Sequence, residues 1–338
     1  MNYVTKRALL MIPTFLTVLL VSFFLIHLTP GGPVDSLMMS MRKSTSKAPS
    51  QKTLISMEQI KEIEKEYGLN LPIHERFGRW MKKVATFDFG NSSTYGRPVV
   101  DLIKERLPVS MQFGFASFIL GYVITIILGL IMGYYREGLV DSTMKYSLIL
   151  FSSVPSLLLA IFLILFFCSD YGLDILPLAY LTSDDYDSLS PMGKIWDRAR
   201  HFILPLGTYM MGSFTVGSLI LRNKILEEYH QGYVATARSK GLSAWTVLTK
   251  HVLKNAIFPL ISGIGGVIGV FLSGSVIIET IFQLPGIGLL GYEATMKRDY
   301  NVLMCLVLFS SLFLMLGNII SDVTLKFFDP RVDFKEAP

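Results

Sequence analysis

Six runs of about 20 apolar residues set the strongest limit on what this chain of 338 residues can fold into. Hydrophobic residues make up 51% of the chain and charged residues only 17%, so most of its length suits lipid better than water. A helix satisfies its own backbone hydrogen bonds, as a segment crossing the hydrocarbon core of a bilayer must. The runs therefore predict an all-α membrane protein with six transmembrane helices, at residues 8–28, 109–134, 146–167, 201–221, 256–282 and 302–327.

Lysine and arginine are unevenly distributed over the connections between these runs. If the N-terminus lies in the cytoplasm, the inner segments carry 13 of them, and the two short outer loops, 168–200 and 283–301, carry 5. This positive-inside bias favours both termini in the cytoplasm. The first run is longer than the apolar region of a signal peptide, which favours a retained anchor. The same bias explains the net charge of +5, so we expect no nucleic-acid partner.

The long connection after the first run has the signals of a helical cap rather than a linker. Residues 56–68 combine capping-box spacing with an apolar stripe and a terminal glycine, Pro72 can open a second helix, and residues 97–107 form a third candidate. Such a cap could be structural, or it could dock or gate a delivered substrate. We expect three parts: residues 1–28 with the first helix, an extracytoplasmic cap at 29–108, and a five-helix core at 109–338 with a cytoplasmic loop at 222–255.

That cytoplasmic loop contains a basic amphipathic segment, residues 233–260. A first short helix places three residues on one face: Tyr233, Val234 and Ala237. Gly241 can end this helix in the left-handed conformation, and Ser243 can cap a second one. The second helix carries an apolar stripe: Trp245, Leu248, Val252 and Ala256. A ridge of this kind could lie on the lipid interface or fit a groove on a cytoplasmic protein, and the residues alone favour neither.

The sequence shows no motif typical of an enzyme active site or a metal site. The two cysteines, Cys168 and Cys305, lie in or beside apolar runs and support neither a disulfide framework nor a metal site. There is no Ser, His and Asp arrangement, no two-histidine metal spacing and no GxxxxGK[ST] phosphate loop. We therefore expect no catalytic residue, no metal site and no cofactor on this chain, and any ATP hydrolysis must occur on another polypeptide.

Short blocks in order along the chain resemble one family. TARSKGL at 236–242 with KHVLKNAIFPL at 250–260 resembles the cytoplasmic coupling motif of ABC importer permeases, in its oligopeptide and dipeptide form. Ala235 stands where the family's general motif has Glu, which removes one charged contact with the ATPase. Four further blocks resemble the first peptide permease subunit: HLTPGGPVD, FDFGNSSTYGRPVVDLIKERLPVS, ETIFQLPGIGLLGYEA and FDPRVDF. YGLNLPIHERF and LLGYEATMKRDY resemble the branch known for uptake of microcin C and peptides broadly.

The resemblance implies a type I ABC importer permease fold in a bacterial inner membrane, and a transport subunit rather than an enzyme. Its implied partners are a second homologous permease, two ABC ATPase subunits that hold ATP and Mg²⁺, an extracytoplasmic peptide-binding protein, a peptide substrate and membrane lipid. It also implies an ATPase-coupling surface, the candidate coupling residues: Ala235, Thr236, Ala237, Arg238, Lys240, Gly241 and Leu242.

Three residues of the fifth run are candidates for the substrate path. Glu279 could meet a peptide ammonium group, or it could be paired with an arginine or a backbone donor. Gly265 and Gly269 have the spacing that lets helices approach closely, which favours tight packing, and the alternative is a flexible wall of the path. An ion-driven secondary carrier and an intramembrane enzyme are the alternatives. A carrier should show buried acid or histidine relays and an internal repeat, and neither is evident in the sequence.

Overall fold

The computed structural model describes residues 3–28, 71–169, 171–263 and 274–328. Helices make up most of these residues, and the β-structure within them is an isolated bridge between Asn91 and Pro98. In chain order we number the helices α1 Tyr3–Leu28, α2 Ile73–Ala85, α3 Val99–Tyr134, α4 Leu139–Ser152, α5 Ser156–Phe167, α6 Pro191–Tyr229, α7 Gly232–Ser239, α8 at residues 244–256, α9 Val276–Ile281, α10 Ile287–Lys297 and α11 Tyr300–Phe328.

Three described helices are long and apolar enough to cross a bilayer: Leu9–Leu28, Val99–Tyr134 and Tyr300–Phe327. Two further helix pairs are bent: α4 with α5, and the two halves of α6, Pro191–Met211 and Phe214–Tyr229. If each pair is one span, the number of candidate spans rises to five. The fifth predicted run, 256–282, includes residues outside the described part. A multi-pass helical membrane protein is therefore supported, and the number six stays a prediction.

The third predicted run differs from the structure. Residues 146–167 are not one helix, because α4 and α5 meet at an angle of 96°. Pro155 lies at this break, directly before α5, with a φ of −55° and a ψ of 137°. A proline disfavours helical geometry in the residue before it and has no N–H for the helical ladder, which explains the interruption.

The described residues fall into two compact units. One consists chiefly of the described residues of Pro108–Leu289 and those from Phe313 onward, and the other of those of Thr5–Leu107 and Leu290–Leu312. In the first unit, α3 and α6 approach closely because glycines of α3 face apolar side chains of α6. A Cβ built on Gly129 would lie 2.6 Å from Leu221, and one on Gly133 would lie 2.7 Å from Ile225. Residues four apart share one face of a helix, so the two helices meet over at least one full turn.

In the second unit, the predicted helix opened by Pro72 is present as α2. Its Phe77 and Trp80 pack against Phe23 of α1, edge-on and tilted respectively, at ring-centre distances of 5.2 and 5.7 Å. The helix predicted at 97–107 is present, but its predicted end is wrong, because α3 runs unbroken from Val99 through Pro108 to Tyr134. A proline is tolerated inside such a helix where neighbouring groups satisfy the freed carbonyl. The predicted helix at 56–68 lies outside the described residues.

Asp299 fixes the loop before α3 in this same unit. Its carboxylate is fully buried and accepts hydrogen bonds from the Ser92 hydroxyl at 2.5 Å and the Thr94 backbone N–H at 3.1 Å. It also accepts from the Val302 N–H at 3.4 Å, in the first turn of α11. A carboxylate at a helix N-terminus satisfies one of the free N–H groups there. One side chain thus joins the loop to the start of α11.

Candidate functional site

Helices α7 and α8 have one buried face and one exposed face. Val234 and Ala237 of α7 are 1% and 6% exposed, and they pack on residues of α6 and α8. The rest of this core contains Leu221, Ile225, Val247, Leu248, Val252, Ala256 and Leu260. Val234 and Ala237 share one face of α7, as predicted, and Leu248, Val252 and Ala256 share one stripe of α8. The two surroundings expected for that stripe, lipid or a groove on another protein, are wrong for these three residues, because they are buried against this chain's own helices. The segment is therefore packed onto the helix bundle as a folded element.

The turn between the two helices has the predicted chemistry. Gly241 has a φ of 77°, in the left-handed region that favours glycine. Ser243 caps α8, because its hydroxyl accepts a hydrogen bond from the Thr246 backbone N–H at 3.3 Å. The middle of α8, Val247–Val252, is π-helical rather than α-helical, which the apolar stripe did not predict.

The face of residues 235–245 that points away from this core is exposed. Of the candidate coupling residues, all but Ala237 are exposed, and Leu242 is 38% exposed. Trp245, the first member of the predicted stripe, is 51% exposed and meets the Tyr134 ring edge-on at 5.7 Å. We call this face, a candidate for contact with an ATPase, the coupling surface. It consists of Ala235, Thr236, Arg238, Lys240, Gly241, Leu242 and Trp245.

Polar side chains at the end of α6 contact residues of α7. Two guanidinium groups contact the Tyr229 ring, Arg136 at 3.9 Å and Arg238 of α7 at 5.2 Å from its centre. A cation over an aromatic face is attracted by the ring quadrupole. Tyr233 of α7 donates to Glu228 at 2.5 Å. Burial first and this hydrogen bond second raise the pKa of Tyr233 to about 12, so the phenol keeps its proton at neutral pH.

Glu279, a candidate for the substrate path, lies fully buried in α9. Its Oε1 accepts from the Ser110 hydroxyl at 2.8 Å, the Tyr209 hydroxyl at 3.3 Å and the Ser275 backbone N–H at 3.2 Å. Its Oε2 accepts from the Leu289 N–H at 2.9 Å. Glu279 is therefore paired with backbone donors, as expected if it is a structural carboxylate rather than a group that meets a peptide.

Glycines surround this carboxylate closely. A Cβ on Gly274 or Gly286 would lie 2.4 Å from a Glu279 oxygen, so no larger residue fits there without movement. Gly265 and Gly269, the other two path candidates, lie outside the described residues. Among the residues the structure does describe, no group of three or more His, Cys, Asp or Glu side chains could hold a metal ion.

The sequence reasoning missed the contacts around the start of α4. Asp141, 1% exposed, accepts from Nε and Nη2 of Arg222 at 2.9 and 2.5 Å. A distant carboxylate and guanidinium leave no sequence signal of their pairing. The Gly129 and Gly133 pair does carry a signal, since it has the same small-xxx-small spacing that was noted at Gly265.

Comparison with known proteins places the chain in a family. Residues 125–334 match the family described as binding-protein-dependent transport system inner membrane component. The chain is 35% identical to the inner membrane ABC transporter permease protein YejB of Escherichia coli O157:H7, over 98% of this chain and 99% of the relative. It is 35% identical to the peptidoglycan transport system permease protein YejB of Agrobacterium fabrum, over 98% of each. It is 29% identical to the oligopeptide transport system permease protein AppB of Bacillus subtilis, over 98% and 99%.

Both the family match and the first of these relatives cover well over half of the chain. A solved structure of the MetNI methionine ABC transporter in inward-facing conformations gives a TM-score of 0.48 at 17% identity, over 67% of this chain and 97% of that chain. The chain belongs to the family of binding-protein-dependent transport system inner membrane components.

Proposed function

We propose that this chain is a permease subunit of an ATP-driven peptide importer and that its coupling surface contacts a cytoplasmic ATPase. Several relatives are named for peptide transport, among them the oligopeptide permease AppB and a dipeptide permease, DppB, of Lactococcus lactis. Membership of a binding-protein-dependent family favours this class over an ion-driven secondary carrier. Peptides, including those of the microcin C type, are the proposed substrates.

One observation carries the proposal for α7. The inner face of α7 is packed against the bundle while the coupling surface is exposed. That surface includes the apolar side chains of Leu242, in the turn after α7, and Trp245, in α8, which gain nothing from exposure to water. A lipid surface could cover such residues, but Arg238 and Lys240 lie among them, on the side that the positive-inside bias assigns to the cytoplasm. A mixed apolar and basic surface fits a groove with acidic groups on a soluble partner.

The packing supports a route for motion from this surface into the membrane. Leu221 and Ile225 of α6 belong to the core beneath α7, and the same two side chains fill the space over Gly129 and Gly133 of α3. Because packed cores deform little, a push on α7 would move α6 and α3 with it as a body. The path would then switch between outward and inward openings as the ATPases close.

The remaining parts of the assembly follow from the family. A second homologous permease would complete the path, two ATPase subunits would hold ATP and Mg²⁺, and an extracytoplasmic protein would deliver the peptide. This chain would then be a transport subunit of a bacterial inner membrane with both termini in the cytoplasm, and it would have no catalytic residue of its own.

Site-specific photo-crosslinking tests the ATPase contact. A photoreactive amino acid at Thr236 or Leu242 should crosslink this chain to the ATPase in the assembled complex. The matched control is Leu173, which is 52% exposed in a loop predicted to lie outside, and it should give no ATPase crosslink. Absence of crosslinks at both coupling positions in an assembled complex would reject the proposal.

A further inference from the structure

The turn between α3 and α4 and the first residues of α4, together residues 135–141 and called the turn below, contact the end of α6 at two places. Asp141 pairs with Arg222, and Arg136 stacks on Tyr229. Arg222 and Tyr229 are seven residues apart, about two turns along one side of the helix. The turn therefore lies along the part of α6 that leads directly into α7.

The first contact is a bidentate ion pair between the buried carboxylate of Asp141 and the partly buried guanidinium of Arg222. The guanidinium of Arg222 donates from Nε and Nη2 to the two oxygens of Asp141, with side chains 14% and 1% exposed. The paired geometry of an arginine and a carboxylate fixes orientation as well as distance. A buried pair of this kind is weak evidence for stability, and its best-attested use is to fix one arrangement among several.

Asp141 also fixes the shape of the turn itself. Its Oδ2 accepts from the backbone N–H of Glu137 at 3.0 Å. Glu137 has a φ of 60°, a conformation that residues other than glycine adopt rarely. One carboxylate thus joins a locally strained turn to α6.

The second contact reaches the coupling surface. The Tyr229 ring is contacted both by Arg136 and by Arg238 of α7, at 3.9 and 5.2 Å from its centre. The turn and α7 thus share one aromatic ring. Displacement of the turn would remove Arg136 from the ring that Arg238 also contacts.

We propose that Asp141, Arg222 and Arg136 are positioning residues for coupling, which hold the end of α6 so that α7 presents the coupling surface to the ATPase. This inference rests on the proposed function of that surface. The residues do not contact the ATPase themselves and act through Tyr229 and α7. Their removal should lower the transport obtained per ATP more than it lowers the amount of folded chain.

The test uses the complete reconstituted complex with uptake of labelled trialanine and ATP hydrolysis measured together. The variants are Asp141→Asn, Arg222→Lys and Arg136→Gln. The matched control is Lys224→Gln, because Lys224 forms an exposed ion pair with Glu227 on the same stretch of α6, with side chains 38% and 62% exposed. Uptake per ATP should fall about fivefold or more in Asp141→Asn, less in Arg222→Lys, which keeps its charge, and not in Lys224→Gln.

Membrane-inserted chain with lost ATPase association, or with intact association and reduced uptake per ATP, supports the positioning role. Unchanged uptake per ATP overturns it, and so does disappearance of the chain from the membrane in all three variants, because the contacts would then serve folding alone. Crosslinks from Leu242 to the ATPase in the unchanged chain test the ATPase contact separately from the positioning role. If these crosslinks form and the three variants leave uptake per ATP unchanged, the ATPase contact stands and only the positioning role fails.

Discussion

The hydroxyl of Ser110 lies between Glu279 and the backbone of Ile287. It donates to Glu279 Oε1 at 2.8 Å and accepts from the Ile287 N–H at 2.8 Å. A single side chain of α3 thereby joins a buried carboxylate to the start of α10. The arrangement depends on a group with both a donor and an acceptor, which a hydroxyl supplies.

Replacing Glu279 by Gln should destabilise the chain. The amide NH₂ would face donors that the carboxylate oxygens now satisfy, and one buried unmatched donor costs about 1–3 kcal/mol. Thermal unfolding in detergent should show a lower midpoint temperature for Glu279→Gln. Glu105→Gln is the control, since Glu105 forms an exposed ion pair with Arg97 and should change little.

The same variant separates the two interpretations of Glu279. Equal loss of folded chain and of uptake indicates a structural carboxylate. Full stability with lost uptake would instead favour the substrate path, the role that the sequence left open for this residue.

Replacing Gly129 by Ala should weaken the contact between α3 and α6. The added methyl would lie 2.6 Å from a Leu221 carbon, and such overpacking costs about 1–3 kcal/mol. Gly78→Ala in α2 is the control, because a Cβ there meets no atom within 4 Å. The amounts of folded chain after heating should separate the two variants. Equal stability of both would mean that the helices are less tightly packed than described.

Replacing Asp299 by Asn should loosen the loop that precedes α3. The carboxylate accepts from three donors in a fully buried place, and Asn presents only one acceptor oxygen to them. We expect a loss of about 1–3 kcal/mol. Limited proteolysis should detect faster cleavage between α2 and α3. Asp101→Asn, at an exposed position in the first turn of α3, should be cleaved at the original rate.

Tyr95 should give the second unit a dependence on alkaline pH. Burial first, and its hydrogen bond to Glu293 next, raise the pKa of Tyr95 to about 12. Because the pKa of Tyr95 is higher in the folded than in the unfolded chain, the protonated phenol favours the folded state at any pH below the unfolded pKa, near 10. This contribution to stability is lost as the pH rises toward 12. Tyr95→Phe should therefore be less stable than the original chain at pH 8 and approach it above pH 12. A stability difference that stays constant over this range would contradict the shifted pKa.

Much of the local structure could be predicted because it depends on neighbouring residues. The helix opened by Pro72, the left-handed Gly241 and the Ser243 cap follow from conformational preferences that act within a few residues. That Val234 and Ala237 share one face of α7 follows from helical periodicity, whereas the sequence did not show that this face packs on the chain's own helices.

The rest depends on residues far apart in the chain. The Ser92 and Asp299 pair spans 207 positions, and the Ser110 and Glu279 pair spans 169. Their sequence neighbourhoods give no sign of the partner, because tertiary packing selects it. The break at Pro155 shows the opposite failure: its signal was present, but transmembrane helices often tolerate proline, so the length of the apolar run outweighed it.

Uptake of labelled trialanine per ATP hydrolysed, compared between Gly241→Ala and Gly241→Trp, tests the ATPase contact most directly. Both variants carry the strain of a side chain at a φ of 77°, and a Cβ there meets no atom of this chain within 4 Å. Only tryptophan adds bulk to the coupling surface. We expect an assembled complex in both, with coupled uptake in Gly241→Ala and ATP hydrolysis without matching uptake in Gly241→Trp. Equal uptake per ATP in both variants would contradict an ATPase contact at this surface.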